Sequence, residues 1–110
     1  MKLSYRTNKL EKSLTTDKGL AKTFGTMAKK TKQRITQLES ADNLEDISKL
    51  SALRLHPYQG DKKGIWSIDI HKNWRILFEI DQEPIPALED GGVDLYAITI
   101  INIVSVEDPH

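Results

Sequence analysis

The 110-residue chain contains no cysteine, and its 16 basic residues are balanced by 16 acidic ones. Its length predicts a single domain over residues 1–110, and the lack of cysteine excludes disulfides, zinc–thiolate sites and thiol catalysis. The first residues form no apolar signal region and no apolar run approaches the ~20 residues that cross a bilayer, so we predict a cytoplasmic protein without membrane contact.

The first half of the chain carries the helix signals. Residues 2–6 alternate and predict a short first strand. Thr7 or Asn8, followed by Glu11, forms a capping-box pattern that predicts a first helix. An apolar stripe at helical spacing then predicts a second, long helix, which Gly25 weakens by about 1 kcal/mol without ending it. The stripe consists of Leu20, Phe24, Met27, Thr31, Ile35 and Leu38.

The second half of the chain carries the strand signals. A short helical segment capped by Asp42 or Asn43 precedes a change of the hydrophobic period to two. Residues 53–56 alternate and predict a strand that the following proline ends. Residues 65–70 and 74–80 predict a hairpin, because both alternate and are separated by a polar turn.

The second hairpin strand has two different faces. One face is formed by Trp74, Ile76, Phe78 and Ile80, and the other by Arg75, Leu77 and Glu79. A polar loop over residues 81–92 follows, and residues 93–106 predict a final strand or a bent pair of strands. A strand, two helices and a run of strands predict an α+β domain, with helices packed on one face of a mostly antiparallel sheet.

The charges are divided along the chain. Every Lys and Arg lies at or before Arg75 together with eight acids, so this part carries a charge of +8. The other eight acids lie between Glu79 and Asp108, with no basic residue among them. The division indicates either a basic face that meets a polyanion or an ordinary solvated surface.

The sequence contains no phosphate-binding glycine loop, no metal-ligand cluster and no nucleophile elbow, so neither a cofactor nor a metal is predicted. Arg75 on a sheet face suits an anion, because guanidinium stays charged and offers a planar fork of donors. At His110 the chain-terminal carboxylate favours the protonated imidazole, which can give a proton to a leaving oxygen. Together they would suffice for a metal-free ribonuclease in which the RNA 2′-OH is the nucleophile.

Structural interpretations of the same residues remain open. Arg75 can pair with Asp69 or Glu79 across the sheet. His110 can be a frayed end, and His56 is explained equally well as the last residue of a strand.

Four linked motifs lie between Arg54 and Phe78. They are Leu55-His56-Pro57, Gly60-Asp61, Gly64-Ile65-Trp66-Ser67-Ile68 and Asn73-Trp74-Arg75-Ile76-Leu77-Phe78. This set closely resembles the HigB-like branch of the RelE/ParE toxin superfamily, the plasmid-maintenance killer proteins. The early strand with an aromatic at Tyr5 and the lysine-rich helix after it are similar as well.

The resemblance implies a toxin of a type II toxin–antitoxin system with a RelE-like fold, a small curled sheet with two N-terminal helices. It implies a ribosome-dependent mRNA endonuclease that is neutralised by a helix-turn-helix, HigA-like antitoxin. By position, Arg75 matches the phosphate-stabilising arginine, His110 and Asp108 the C-terminal catalytic pair, and His56 the loop histidine. The residues expected to contact RNA or the ribosome are Arg54, Gln59, Lys62, Lys63 and Lys72.

Two positions depart from the family pattern. Gln59 stands where some nuclease-active relatives carry Lys, and Pro109 stands where the family has a Tyr that would stack on a base. The 81–92 loop is also longer than usual. A catalytically weakened relative, acting as a non-catalytic module that binds antitoxin and operator, is therefore the alternative function. A ParE-like gyrase poison is less favoured, because of the Trp-Arg strand and the final His.

Overall fold

The computed structural model describes residues 1–58 and 64–108. Within these residues, helices and one five-stranded sheet form an α+β fold. The helices are α1 (Asn8–Thr15), α2 (Asp17–Phe24), α3 (Ala28–Ser40) and the short α4 (Leu44–Ser48). The strands are β1 (Lys2–Tyr5), β2 (His56–Pro57), β3 (Ile65–His71), β4 (Trp74–Ile80) and β5 (Ile100–Glu107). None of the helices in this part of the chain has the length and apolar character needed to cross a membrane.

Side-chain caps begin three of the helices. Thr16 caps α2 by accepting a hydrogen bond from the Gly19 amide at 3.0 Å, and Thr7 and Asn43 cap two others. The Thr7 hydroxyl accepts a hydrogen bond from the Leu10 amide at 3.0 Å and starts α1. The Asn43 side chain accepts one from the Asp46 amide at 3.0 Å and starts α4. Both caps were among the candidates that the sequence offered, and each is worth about 1 kcal/mol.

The prediction of one long second helix is wrong at Gly25. This residue has φ +54° and ψ −120°, a conformation that L side chains rarely adopt. Its amide still caps α2 by donating to the Ala21 carbonyl. The 3₁₀ turn Gly25–Met27 then leads into α3. Because glycine has no Cβ, the chain can change direction here, and the single apolar stripe is divided between two helices.

The sheet has the order β1-β5-β4-β3-β2. β1 runs parallel to β5, and the other neighbours are antiparallel, which confirms a mostly antiparallel sheet. In the β3–β4 hairpin Ile68 lies opposite Ile76 and Trp66 opposite Phe78. These side chains face the helices, as their alternation predicts. The fully buried core includes Leu14, Leu38, Leu44, Ile47, Ile68, Ile76, Phe78, Ile101 and Ile103.

The prediction of a strand over residues 53–56 is wrong. Ser51–Leu53 form a 3₁₀ turn and Arg54 adopts the left-handed conformation with φ 46°. Only His56 and Pro57 pair with β3, opposite Ser67 and Trp66. The apolar side chains of this segment reach the core from a turn. A hydrophobic period of two fits such a turn as well as a short strand, so the sequence pattern does not distinguish them.

Candidate active site

The candidate site lies on the sheet face opposite the core, and a β-bulge determines which side chains of β5 reach it. Phe78 lies opposite Ile103, but its neighbour Leu77 lies opposite Ser105, so β5 carries one extra residue at this point. A bulge of this kind re-aims the side chains that follow it. Ile103 therefore stays in the core while Ser105 lies on the other face.

Two rows of side chains cross this face. The Arg75 row consists of the aligned residues Asp69, Arg75 and Glu107. The His56 row consists of His56, Ser67, Leu77 and Ser105. Along β4 the rows are two residues apart, which is roughly 7 Å. Ser67 and Leu77 are buried and form the floor of the site within the His56 row.

Arg75 is half-buried in the centre of its row. Its Nε is buried and has no hydrogen-bond partner within the described part of the chain. A buried donor without a partner costs about 1–3 kcal/mol, more when the group is charged. Guanidinium binds phosphate through parallel N–H donors, so a phosphoryl oxygen would satisfy this atom.

Asp69, the neighbour of Arg75 in the row, is bound by another arginine. Arg54 Nε donates to Asp69 Oδ2 at 2.8 Å, and Arg54 Nη2 donates to Oδ1 at 3.4 Å. The hydrogen bond to Asp69 raises the pKa of Arg54. At the other end of the row, Glu107 accepts a hydrogen bond from the Ser105 hydroxyl at 2.8 Å.

His56 has a defined tautomer. Its Nδ1 lies 2.6 Å from the Arg54 carbonyl oxygen. Because a carbonyl only accepts, Nδ1 carries the hydrogen and Nε2 is the nitrogen left to exchange a proton. β2 and β4 are two strand spacings apart, roughly 10 Å. A nucleotide lying across the floor can therefore contact both His56 and Arg75.

The remaining predicted residues are distributed as follows. Asp108 is exposed and comes directly after Glu107, so the register brings the end of β5 next to Arg75. Lys72 is exposed in the β3–β4 turn, with φ 52°. Arg54, predicted to contact RNA, has its guanidinium on Asp69. Gln59, Lys62, Lys63 and His110 lie outside the described residues.

Sequence reasoning considered Asp69 only as a structural partner of Arg75 and missed the burial of Ser67. The Ser67 hydroxyl is buried and has no hydrogen-bond partner among the residues the structure describes. Alternation along β3 already places Ser67 and Asp69 on one face, so the hairpin register would have located both. Glu79, the other proposed partner of Arg75, accepts a hydrogen bond from Asn102 at 3.1 Å.

Arg34 lies in α3 and supports the site from the helix side. It is only 5% exposed and donates to the Asp69 carbonyl at 2.8 Å and to Gln37 at 3.0 Å. Burial lowers the pKa of Arg34, and the negative charge of Asp69 acts in the opposite direction. Arg34 therefore fastens α3 to the backbone of β3 beneath the site.

A cleft of about 640 Å³ lies between α1, α2 and β5. β1 pairs only with Ile100–Ile103, so the later residues of β5 form one wall of this cleft. Lys9, Lys12 and Lys22 line it, and none of the described lining residues is acidic. Within the described ranges these lysines form no ion pair. The cleft is thus a cationic surface close to the site face, which it reaches at Ser105.

Comparison with known proteins agrees with this architecture. Residues 3–89 match the family model of the RelE-like toxin of the type II toxin–antitoxin system HigB. Over 45 residues the chain is 40% identical to the protein named Endoribonuclease HigB from Proteus vulgaris, covering 39% of this chain and 49% of that relative. The match thus spans about half of the relative's length.

Two solved toxin structures share the fold. One is a YoeB/ParE toxin from Agrobacterium tumefaciens, with a TM-score of 0.54, 13% identity and full coverage of both chains. The other is a YafQ mutant from E. coli, with a TM-score of 0.52 and 17% identity, covering 97% of this chain and 91% of the other. Because the family model covers most of the chain, the protein belongs to the RelE-like HigB toxin family of type II toxin–antitoxin systems.

Proposed function

We propose that the protein is an endoribonuclease toxin that cleaves messenger RNA on the ribosome and thereby stops translation. The observation that carries the proposal is the buried Arg75 Nε, which lacks a partner in the described residues. It shares its sheet face with His56, whose Nε2 is available for proton transfer. The name of the Proteus vulgaris relative, an endoribonuclease, supports the same activity.

The proposed reaction needs no protein nucleophile. The RNA 2′-oxygen attacks the adjacent phosphorus, the O2′–P bond forms and the P–O5′ bond breaks, which leaves a 2′,3′-cyclic phosphate and a 5′-hydroxyl. His56 Nε2 accepts the proton of the 2′-OH, and His110 gives a proton to the leaving O5′, so the proton count balances. Arg75 donates to the non-bridging oxygens, where negative charge accumulates. Asp108 acts with His110 as the C-terminal pair that the family resemblance implies.

The charges support a dependence on the ribosome. The Arg75 row itself contains two acids, so it is a poor binding surface for free RNA. The cleft with Lys9, Lys12 and Lys22 offers the positive charge that the row lacks, and phosphate contacts supply most of the non-specific affinity for nucleic acids. We infer that this cleft contacts ribosomal RNA while the message lies on the site face. The family also implies an antitoxin partner, and we propose a helix-turn-helix protein for this role.

The direct test is cleavage of a message on programmed ribosomes. Purified protein is added to messenger RNA with and without ribosomes, and the new 5′ ends are mapped and tested for a hydroxyl group. We expect cleavage only with ribosomes, and loss of cleavage in Arg75→Ala. Arg6→Ala serves as the matched control, because Arg6 is exposed and follows the edge strand β1, whereas Arg75 lies on the central strand β4. A soluble wild-type protein that leaves ribosome-bound messages intact would contradict the proposal.

The second candidate is a non-catalytic module that retains only antitoxin and operator binding. The observation that favours it is Pro109, which cannot stack on a base as an aromatic residue does. Such stacking is worth about 1–3 kcal/mol per base. If the wild type does not cleave and Pro109→Tyr does, the module is the correct interpretation. If the wild type cleaves messenger RNA, the non-catalytic module is excluded.

A further inference from the structure

We propose that Arg54 is a positioning residue, which keeps the Asp69 carboxylate from neutralising the Arg75 guanidinium. The inference rests on the proposed function of Arg75 in binding a phosphoryl group. It assigns Arg54 a role through Asp69, in place of the direct contact with RNA that the sequence predicts.

Asp69 is placed to compete with the substrate. It lies directly opposite Arg75 in the β3–β4 register, on the same face of the sheet. Opposed side chains in an antiparallel pair have Cβ atoms about 4.5–5.5 Å apart, which is within reach of a carboxylate and a guanidinium. A bidentate Arg–carboxylate pair has the same geometry as an Arg–phosphate pair. Asp69 bound to Arg75 would therefore occupy the place of the phosphate.

Arg54 removes this competition. Its Nε and Nη2 donate to the two different oxygens of the Asp69 carboxylate, at 2.8 and 3.4 Å. The Asp69 backbone is held from below, because Arg34 Nε donates to its carbonyl at 2.8 Å. The Asp69 carboxylate lies near both Arg54 and Arg75, and it is bound to Arg54. Arg75 Nε correspondingly lacks a partner in the described residues.

The local backbone supports a dedicated role. Arg54 adopts φ 46°, the left-handed region that a residue with a Cβ rarely occupies. In this conformation its side chain reaches Asp69 while its carbonyl accepts the hydrogen bond from His56 Nδ1. The Arg54 side chain is 58% exposed, and ion pairs this exposed add little to folding stability. Its contribution is therefore expected in the site rather than in the stability of the fold.

The test compares Arg54→Gln, Asp69→Asn and the double variant with the wild type. Inorganic phosphate is titrated while the Arg75 Nε–H resonance is followed by NMR, and cleavage on programmed ribosomes is measured in parallel. Arg54→Gln should weaken phosphate binding and cleavage at least about tenfold, because Asp69 then turns to Arg75. Asp69→Asn should bind phosphate at least as tightly as the wild type. The double variant should recover the affinity and the rate that Arg54→Gln loses, since no carboxylate remains to compete.

The outcomes separate this inference from the proposed function. The positioning role is overturned if the double variant binds phosphate as weakly as Arg54→Gln, or if Arg54→Gln binds phosphate and cleaves like the wild type. Neither result contradicts cleavage by the wild type. If the phosphate pattern appears but no protein cleaves RNA, the positioning role holds and the nuclease proposal fails. If phosphate leaves the Arg75 resonance unchanged in all four proteins, the inference is overturned together with the anion site. Circular dichroism and thermal melting of each variant establish that it is folded.

Discussion

Asp69 lies directly opposite Arg75 in the sheet, yet its carboxylate is bound by Arg54, 2.8 Å away. Arg75 consequently keeps a buried Nε for which the described residues offer no acceptor. An uncompensated buried donor is costly in a folded protein. It becomes useful where a substrate supplies the missing acceptor.

The first prediction concerns the shape of the Arg75 side chain. Arg75→Lys keeps the positive charge but removes Nε and the planar fork. We expect cleavage on programmed ribosomes to fall about 10²–10³-fold, the usual effect of removing one preorganised donor to a developing charge. Binding to ribosomes should change little. A lysine variant that cleaves at the wild-type rate would show that charge alone is sufficient and that Nε has no special part.

The second prediction separates the two nitrogens of His56. In His56→Asn the amide group can still donate to the Arg54 carbonyl, as Nδ1 does, but no group replaces Nε2. We expect a loss of cleavage of about 10²–10⁴-fold, which is typical of a general base, with an unchanged melting temperature. His56→Ala is the comparison, because it loses the proton acceptor and the hydrogen bond together. If His56→Asn stays active, His56 is a structural residue of β2.

The third prediction concerns the lysine-lined cleft. The double variant Lys9→Glu and Lys22→Glu reverses two of its charges. The slope of log affinity for ribosomes against log salt should fall by about 2, because each lost phosphate contact reduces it by about one. Phosphate binding at Arg75 should not change. Lys2→Glu with Lys49→Glu is the matched control, since both lysines are exposed and neither lines the cleft. Equal effects of the two double variants would argue against a specific surface.

The sequence predicted those parts of the fold that depend on local periodicity. Alternation identified the hairpin, the core positions Ile76 and Phe78, and the face that carries Arg75. The caps at Thr7 and Asn43 were recognisable because they need only a short side-chain oxygen beside a helix. These features depend on neighbours within a few residues along the chain.

The features that were missed depend on contacts distant in sequence. Arg34 lies outside the apolar stripe of the sequence, yet it is buried and donates to the Asp69 carbonyl, 35 positions away. The pairing of Asp69 with Arg54 required the left-handed turn at Arg54, which alternation does not reveal. The bulge that places Ser105 opposite Leu77 depends on the pairing of two strands separated by a long loop. In each case contacts distant in sequence determine the structure, because the local sequence pattern is compatible with several structures.

The fourth prediction tests the break between α2 and α3. In a continuous helix, Gly25→Ala would stabilise the protein by about 0.5–1 kcal/mol. At φ +54° it should instead destabilise by about 1–3 kcal/mol, although a Cβ would meet no atom within 4 Å. The sign of the change in the free energy of unfolding, measured with urea, distinguishes the two. Ala21→Gly in α2 is the control and should cost about 0.5–1 kcal/mol. If Gly25→Ala instead stabilised the protein, the result would support one continuous helix.

The fifth prediction concerns stability at high pH. The Tyr5 hydroxyl is buried and has no hydrogen-bond partner within the described ranges. Burial, with smaller contributions from the charges of Glu39 and Glu11, raises the pKa of Tyr5 from 10.0 to about 12. The folded state therefore holds the phenol proton more tightly than the unfolded state. This contribution to stability is fully present below pH 10 and is lost as the pH rises from 10 to about 12.

Tyr5→Phe removes the titrating group, so this variant should lose less stability than the wild type as the pH rises from 10 to about 12. Two pKa units correspond to about 2.7 kcal/mol, and solvent screening of the half-buried side chain reduces the expected effect to roughly 1 kcal/mol. The measurement is the difference in unfolding free energy between the wild type and Tyr5→Phe across this pH range, because titration of the lysines is common to both. Tyr96→Phe, at a side chain that is 69% exposed, is the control and should follow the wild type. If the difference in unfolding free energy between the wild type and Tyr5→Phe does not change with pH, the Tyr5 hydroxyl is solvated in the folded protein. The pKa of a phenol is raised by folding only when burial removes it from water.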